Sequence, residues 1–280
     1  MKKLGFFILM MFLVSHGYSR GPWPQKPKSA FIKLGQWWIN ASKFYNRNGE
    51  IIDITTTGLY TTSIYAEYGF TEKITGVVYA PVFSRAILNK RVDTNDVLIA
   101  EGDELNSIGD IDISFKYTFL QKDALVVSFG LTLGIPTGNP SGGNTQLLQT
   151  GDGEFNQLVS LSAGYSFYPV PFYAILDLGV NNRTSNFSDE FRYGMELGYT
   201  LKKFTLITRA FGVKSFFNGD ENALNGNGLF NNNVEYLSLA PELIFQVNEQ
   251  LGLSAGFGTA VSGRSILAAR TYQAGVFIKL

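Results

Sequence analysis

From Asp110 to Leu120 every second side chain is apolar: Ile111, Ile113, Phe115, Tyr117 and Phe119 alternate with Asp112, Ser114, Lys116 and Thr118. A side-chain period of two belongs to a strand with two unlike faces, because successive Cβ atoms point to opposite sides of the pleat. After a turn at Gln121-Lys122-Asp123 the pattern returns. Leu125, Val127, Phe129, Leu131, Leu133 and Ile135 oppose Val126, Ser128, Gly130, Thr132 and Gly134. One such pair also suits a soluble sandwich, so the pattern must be followed along the chain.

It persists. Val159, Leu161, Ala163, Tyr165 and Phe167 alternate with Ser160, Ser162, Gly164 and Ser166, and the same period runs through Phe172–Asn181, Phe191–Thr200 and Leu251–Gly258. Tyr272, Ala274, Val276, Ile278 and Leu280 form a last apolar face. Ala30–Ala41, Leu59–Tyr68, Ile74–Phe83, Phe204–Val213 and Glu235–Val247 read as further strands, with facing left open for some of them. Arg209 is expected to point inward, leaving Leu206, Thr208 and Ala210 outward. Pro241 would remove a ladder hydrogen bond, so a bulge or bend is expected there. The sum is about twelve strands.

Their connections alternate in length. Short turns fall at Gly69–Lys73, Gln121–Asp123, Tyr168–Pro171, Thr200–Lys203 and Asn248–Gln250. Long connections are expected at Lys43–Gly58, Ser84–Gly109, Pro136–Asn156, Asn181–Glu190 and Ser215–Asn233, with a shorter one at Ser262–Ser265. Brief turns at one end and long loops at the other describe a transmembrane barrel. Hydrocarbon leaves only helices or a closed barrel able to satisfy every backbone group. Beyond the first 20 residues no continuous apolar stretch exists, so closure remains. Charged residues make up 16% of the chain, against about 25% in ordinary soluble domains. The expected fold is an all-β, closed antiparallel transmembrane β-barrel of about 12 strands over residues 30–280. Tyr68, Phe70, Tyr117, Phe119, Phe167, Tyr168, Phe172, Tyr199 and Phe204 near strand ends suit the interfacial aromatic girdles.

The N-terminus supplies an export route. Lys2-Lys3 precedes the apolar run Leu4–Val14, and small residues near Gly17 and Ser19 offer a cleavage site. That run is shorter than the roughly 20 residues a spanning helix needs. Residues 1–19 therefore read as a signal peptide and 20–29 as a short periplasmic segment, with the barrel in a Gram-negative outer membrane. Loss of Lys2 and Lys3 leaves 21 basic against 23 acidic residues, a net charge near −2 with no nucleic-acid face. The sole histidine, His16, lies in or beside the signal, and cysteine is absent. Hydrolases that use His as base, and His/Cys metal sites, are thereby excluded. No cofactor is expected.

Gly109-Asp110-Ile111-Asp112, then Phe115-Lys116-Tyr117, then Gly134-Ile135-Pro136-Thr137-Gly138 at a strand exit resemble the meta-pathway phenol-degradation family of outer-membrane proteins. Tyr65-Ala66-Glu67-Tyr68-Gly69 and the turn Thr71-Glu72-Lys73 fit the same pattern. The resemblance covers most of the barrel. It implies a channel, distantly similar to fatty-acid and aromatic-hydrocarbon channels, and a hydrophobic or aromatic solute. Two departures stand out. Leu280 occupies the place of the usual terminal aromatic, and Arg20–Ser29 is too short for the long hatch of the fatty-acid channels.

Candidate lumen residues follow from the alternation. Asp110 and Asp112 share a face at one strand end, as either a cation-attracting spot or solvated rim residues. Lys116, Asp177, Arg192, Glu196, Arg209 and Glu242 are placed inside the wall, where mixed charges brace a small barrel by cross-strand pairing or tune a pore. Trp23, Trp37 and Trp38 either meet a hydrophobic ligand or anchor the wall. The loops Thr150–Glu154 and Asn218–Asn222 have calcium-like composition without calcium-loop spacing. The leading expectation is a monomeric passive channel for a small hydrophobic or aromatic solute, set in outer-membrane lipid by the barrel-assembly machinery. The alternative is a structural or surface-assembly barrel with a filled lumen and partner-binding loops.

Overall fold

The computed structural model describes residues 21–92, 94–221, 223 and 228–280. Residues 1–19, expected to be a signal sequence, and Arg20 lie outside the described residues, as does Asn222 of the second calcium-like loop.

Sixteen strands follow in order. They are β1 (Ala30–Tyr45), β2 (Ile51–Gly69), β3 (Ile74–Leu88), β4 (Arg91–Val92), β5 (Leu98–Ala100), β6 (Asp103–Ser107), β7 (Ile111–Lys122) and β8 (Leu125–Ile135). Then come β9 (Asn156–Ser166), β10 (Phe172–Arg183), β11 (Glu190–Leu201), β12 (Phe204–Ser215), β13 (Glu235–Gln246), β14 (Leu251–Arg264), β15 (Ile266–Leu267) and β16 (Arg270–Lys279). Sequential long strands pair antiparallel from β1 to β16, and β16 returns to β1 from Phe31↔Lys279 to Ile39↔Thr271. Closure removes both sheet edges. With β4–β5 a separate hairpin and β6 and β15 short continuations, twelve strands form the wall.

Register places the faces as the alternation predicts. Phe115 opposes Leu131 and Tyr117 opposes Phe129 across β7–β8, all on the outside. Phe115, Phe129, Leu176, Leu206, Leu243 and Phe257 stand exposed around the ring. Water would not tolerate so wide an apolar belt, whereas lipid requires it. Strands of 10–12 residues, tilted, match the hydrocarbon thickness.

Several boundaries differ from the sequence reading. The long connection expected at Lys43–Gly58 shrinks to residues 46–50, because β1 and β2 run on as a paired ribbon beyond the belt. Ser42, Lys43 and Asp53 lie in strands there, where water replaces lipid and polar side chains no longer mark a loop. Likewise β3 continues to Leu88, and the segment expected as loop Ser84–Gly109 contains β6 paired back onto β3. The last outer connection is shortened too, since β14 extends to Arg264. At Pro241 the register is unbroken on the β12 side (Thr208↔Pro241), and no bulge forms there. The bulge in β14 instead holds Val261, opposite Leu237 and Ser238. On the β14 side the pairing passes from Leu239↔Thr259 to Glu242↔Gly256, so the ladder is interrupted at Ala240–Pro241 while the register is kept. Further unexpected register shifts fall at Phe119 in β7, at Val82 in β3 and between Ala41 and Lys43 in β1.

Candidate functional site

The periplasmic end of the lumen is occupied by the chain itself. Short as residues 20–29 are, the part from Gly21 enters the barrel instead of staying outside it. Pro27 bridges to Gly69 at the rim, and Lys28 N donates to Gly69 O at 2.8 Å. Gln25 then fixes the segment to the β2–β3 wall through Thr75 Oγ1 and Glu67 Oε2, both at 2.9 Å. Trp23 meets Tyr173 of β10 edge-on at 5.6 Å, so the segment crosses the lumen.

The sequence of this segment explains why it can lie inside. Pro22 and Pro24 carry no N–H, which halves the backbone donors needing partners, and residues before proline stay extended. The remaining carbonyls are met by the wall. Lys116 Nζ donates to Gly21 O at 2.7 Å and Trp23 O at 2.8 Å. Pro22 O accepts from Thr118 Oγ1 at 3.1 Å and from the Ser128 hydroxyl. Gly164 leaves the space: a Cβ there would sit 2.7 Å from both Pro22 and Trp23.

Beside the segment an apolar floor joins Phe31, Ile207, Ile244 and Phe277, with Phe31 and Phe277 stacked at 5.3 Å. Above it a charged belt runs through five strands. Lys33 donates to Glu242 at 2.8 Å, Arg209 to Glu242 at 2.7 Å and to Glu196 at 2.5 Å, and the Tyr173 hydroxyl to Glu196 at 2.7 Å. Every acceptor is matched with a donor, which is the condition for burying charge.

Over this floor and belt lies a cavity of about 1020 Å³. Its lining is divided. Trp37, Ile39, Leu59, Phe211, Leu229 and Phe230 make it apolar on one side, and Asp110, Asp112, Asp152, Asn156, Asn181 and Arg192 make it polar on the other. The outer loops fold over the rim. Leu148 is buried with Ile39, Ala41, Leu59, Ala86 and Leu267, and Leu229 and Phe230 pack against that cluster.

Carboxylates tie the 136–155 connection down. Asp103 accepts from Asn144 N at 3.0 Å, Thr145 N at 2.8 Å and Thr145 Oγ1 at 2.6 Å, which hold its carboxyl down at about 2. Asp110 accepts from Gly138 N at 2.8 Å and Asp152 N at 2.9 Å, yet burial pushes its carboxyl up to about 6. Glu154 meets Arg183 Nε at 2.6 Å; burial again dominates and raises it to about 7. Arg183 is shared with Asp152 at 3.2 Å and Glu190 at 2.7 Å, so three carboxylates compete for one guanidinium.

The predicted lumen residues thus have distinct placements. Glu196, Arg209 and Glu242 form one network; Arg192 pairs with Glu190 at 2.9 Å; Asp177 accepts from the Ser162 hydroxyl. Lys116 holds the inserted segment, Asp110 holds a loop, and Asp112 lines the cavity. Lys33, Glu67 and Tyr173 were not singled out by sequence, although all alternate with lipid-facing neighbours. Arg183 and Glu190 were assigned to a loop and lie at strand ends. Of the tryptophans, Trp23 and Trp37 face the lumen, while Trp38 stacks on Tyr272 of the outer face at 5.8 Å.

The sequence matches no family model and no curated protein. Solved structures do match in shape. The COG4313 outer membrane channel from Pseudomonas putida F1 superposes with a TM-score of 0.58 at 12% identity, over 94% of this chain and 99% of that one. The beta domain of the Bordetella autotransporter BrkA gives 0.51 at 13% identity, over 90% and 100%. The translocator domain of autotransporter NalP from Neisseria meningitidis gives 0.50 at 10% identity, over 91% and 90%. At such identities the likeness is one of fold: this chain has the closed β-barrel architecture of outer-membrane proteins.

Proposed function

We propose that the protein is an outer-membrane channel for passive movement of a small hydrophobic or aromatic solute. The observation that carries this reading is the cavity of about 1020 Å³ with Trp37, Ile39, Leu59, Phe211 and Phe230 on its wall. A concave volume, apolar on one side and with converging polar groups on the other, is what a small-molecule site requires. The sequence resemblance to the meta-pathway phenol-degradation family points to the same solute class, and the shape likeness to an outer-membrane channel supports the channel part of the reading alone. The solute binds beneath the outer loops and leaves through the periplasmic end when Gly21–Gln25 withdraws. In this reading residues 1–19 direct export, the barrel-assembly machinery inserts the chain, and it acts as a monomer.

The inserted segment and complete charge belt also favour a second reading, a structural barrel with a filled lumen. Reconstitution in liposomes with a solute-uptake panel separates the two. Uptake of an aromatic solute above empty-liposome rates is expected for the channel; no flux of any solute leaves the structural barrel.

A further inference from the structure

The outer ends of β12, β13 and β14 set two cations on one carboxylate, on the lipid side of the wall. Lys214 lies between the buried Val213 and Ser215, so it points away from the lumen. Val213 pairs with Tyr236, which brings Lys214 beside Glu235, and Glu235 pairs in register with Arg264. Lys214 Nζ and Arg264 Nη1 each stand 3.3 Å from Glu235 Oε2. The carboxylate is buried, whereas the lysine and arginine side chains are 59% and 48% exposed. Exposed pairs of this kind contribute little to stability, so both cations are free to turn to another anion. Because they share one oxygen, a single phosphate group reaches both.

Arg264 also borders a cleft of about 180 Å³ that it shares with Arg47, Phe217, Asn233 and Ser265. Ser215 fixes one side of it: its hydroxyl donates to Asn233 Oδ1 at 2.9 Å and accepts from Phe217 N at 3.1 Å. Glu221 supplies the carboxylate of the cleft, and Arg47 Nη2 donates to the Glu221 carbonyl at 3.4 Å. On the adjoining β16, Arg270 is exposed two residues from the outward Tyr272. Four cations thus gather around Glu235 and Glu221. Arg85 on β3, by contrast, has Glu104 as a partner of its own at 2.5 Å. Beneath the cluster the wall turns apolar, with Leu239, Leu243 and Phe257 exposed along β13 and β14. Surplus positive charge directly above a hydrocarbon-facing surface is complementary to a ligand with an anionic head and acyl chains.

We propose that Lys214 and Arg264 hold the phosphate group of an anionic lipid of the outer leaflet. Arg47 and the cleft take the rest of its headgroup, and its chains lie along Leu239 and Phe257. Guanidinium and ammonium donors bind phosphate oxygens through charge-assisted hydrogen bonds, which are stronger than neutral ones. The site lies outside the lumen, so it stands whether or not the barrel conducts a solute.

Native mass spectrometry of the purified full chain released from detergent micelles tests this, with dioleoyl phosphatidic acid, dioleoylglycerol and inorganic phosphate as probes. One phosphatidic acid is expected to bind at least about tenfold tighter than dioleoylglycerol, and an equal concentration of inorganic phosphate is expected not to displace it. Lys214→Gln combined with Arg264→Gln should weaken phosphatidic acid by about tenfold or more and leave dioleoylglycerol unaffected. Glu235→Gln releases both cations and should tighten phosphatidic acid, a change that a purely structural ion pair would not produce. Arg85→Gln, elsewhere on the rim, should change nothing. Folding of each variant is followed by migration on unheated gels, and the wild-type comparison of the two lipids stands without the variants. Equal binding of the two lipids overturns the proposal, as does displacement by inorganic phosphate, which would mark a free-anion site. So do an unchanged affinity in the folded double variant, an unchanged or weaker one in folded Glu235→Gln, and an equal loss in Arg85→Gln.

Discussion

Lys33 reaches Glu242 at 2.8 Å although β16 and β14 lie between their strands. The side chain passes over Gly275, where a Cβ would come within 2.6 Å of Lys33 Cε. Glycine on β16 therefore makes the long bridge possible. Because Glu242 also accepts from Arg209, the bridge ties β1 to the β10–β13 side of the wall. Glu242→Gln is expected to lower the unfolding midpoint, since Lys33 and Arg209 would lose a shared counter-charge. A double-mutant cycle of Lys33→Met with Glu242→Gln should show a coupling of about 1–2 kcal/mol. Urea titration of refolded barrels measures it, and additivity would mean that the two groups do not act together.

One ammonium meets two carbonyls of the inserted segment. Lys116 Nζ donates to both Gly21 O and Trp23 O, and hydrogen bonds from a charged donor contribute about 1.5–3 kcal/mol each. Lys116→Met keeps the stem and removes those bonds. The fraction of time that the segment is out of the lumen should rise roughly tenfold or more. Single-channel recording in planar bilayers should show larger or more frequent conductance steps than the wild type. Unchanged conductance would mean that Gly21–Gln25 does not set the constriction.

The wall was legible in the sequence because lipid enforces it: along the middle of β7 to β11 the outward positions are apolar, from Ile111 to Tyr117 and from Phe191 to Tyr199 among them, and a one-residue slip would expose the other face. Outside the hydrocarbon that rule lapses. Thr57 of β2 pairs with Ala41 and Leu88 yet reads as loop, since both faces there meet water or protein. The bulges at Phe119 and Val261 leave no signature, as an extra apolar residue looks like one more wall position. Facing could be read for Arg209 and Glu196, but partnership could not. Which carboxylate meets which cation depends on register around the ring, and Lys33 finds Glu242 only because the ring closes. The lumen position of Pro22 and Trp23 was not legible for the same reason: its partners, Thr118 and Ser128, are distant in the chain.

Anchoring of the 136–155 connection should depend on pH from two sides. Asp103 is held at about 2, below its unfolded value of 3.8, so its contribution is present above about pH 4 and is lost as pH falls through 2. Asp110 and Glu154 are raised to about 6 and about 7, from 3.8 and 4.5. Their contribution is complete below about pH 4 and is lost as pH rises through 6 and 7. Hydrogen exchange at Gly138, Asn144 and Thr145 should therefore be slowest, after correction for intrinsic rates, near pH 4 and should quicken between pH 4 and 7. Glu154→Gln should flatten the alkaline side alone, and Asp103→Asn should loosen Asn144 and Thr145 at neutral pH. Protection that rises steadily from pH 5 to 8 would contradict the assignment for Asp110 and Glu154.

The division of each strand into a lipid face and a lumen face predicts opposite responses to one substitution type. Leu176 lies midway along β10, half exposed on the outer surface, and pairs with Met195 and Ala163, which face the same way. An arginine there must hold its charge in hydrocarbon or thin the bilayer to reach water, at about 2–4 kcal/mol near the midplane. Ser238 pairs with Phe211 on the inner face and borders the cavity, where a lysine reaches water and nearby acceptors. Leu176→Arg should thus lower the folding free energy in lipid vesicles by about that amount, and Ser238→Lys by less than about 1 kcal/mol. In detergent, whose micelle deforms around a charge, the gap between the two should narrow. Equal effects in vesicles would place Leu176 away from the hydrocarbon and remove the physical basis for a spanning barrel.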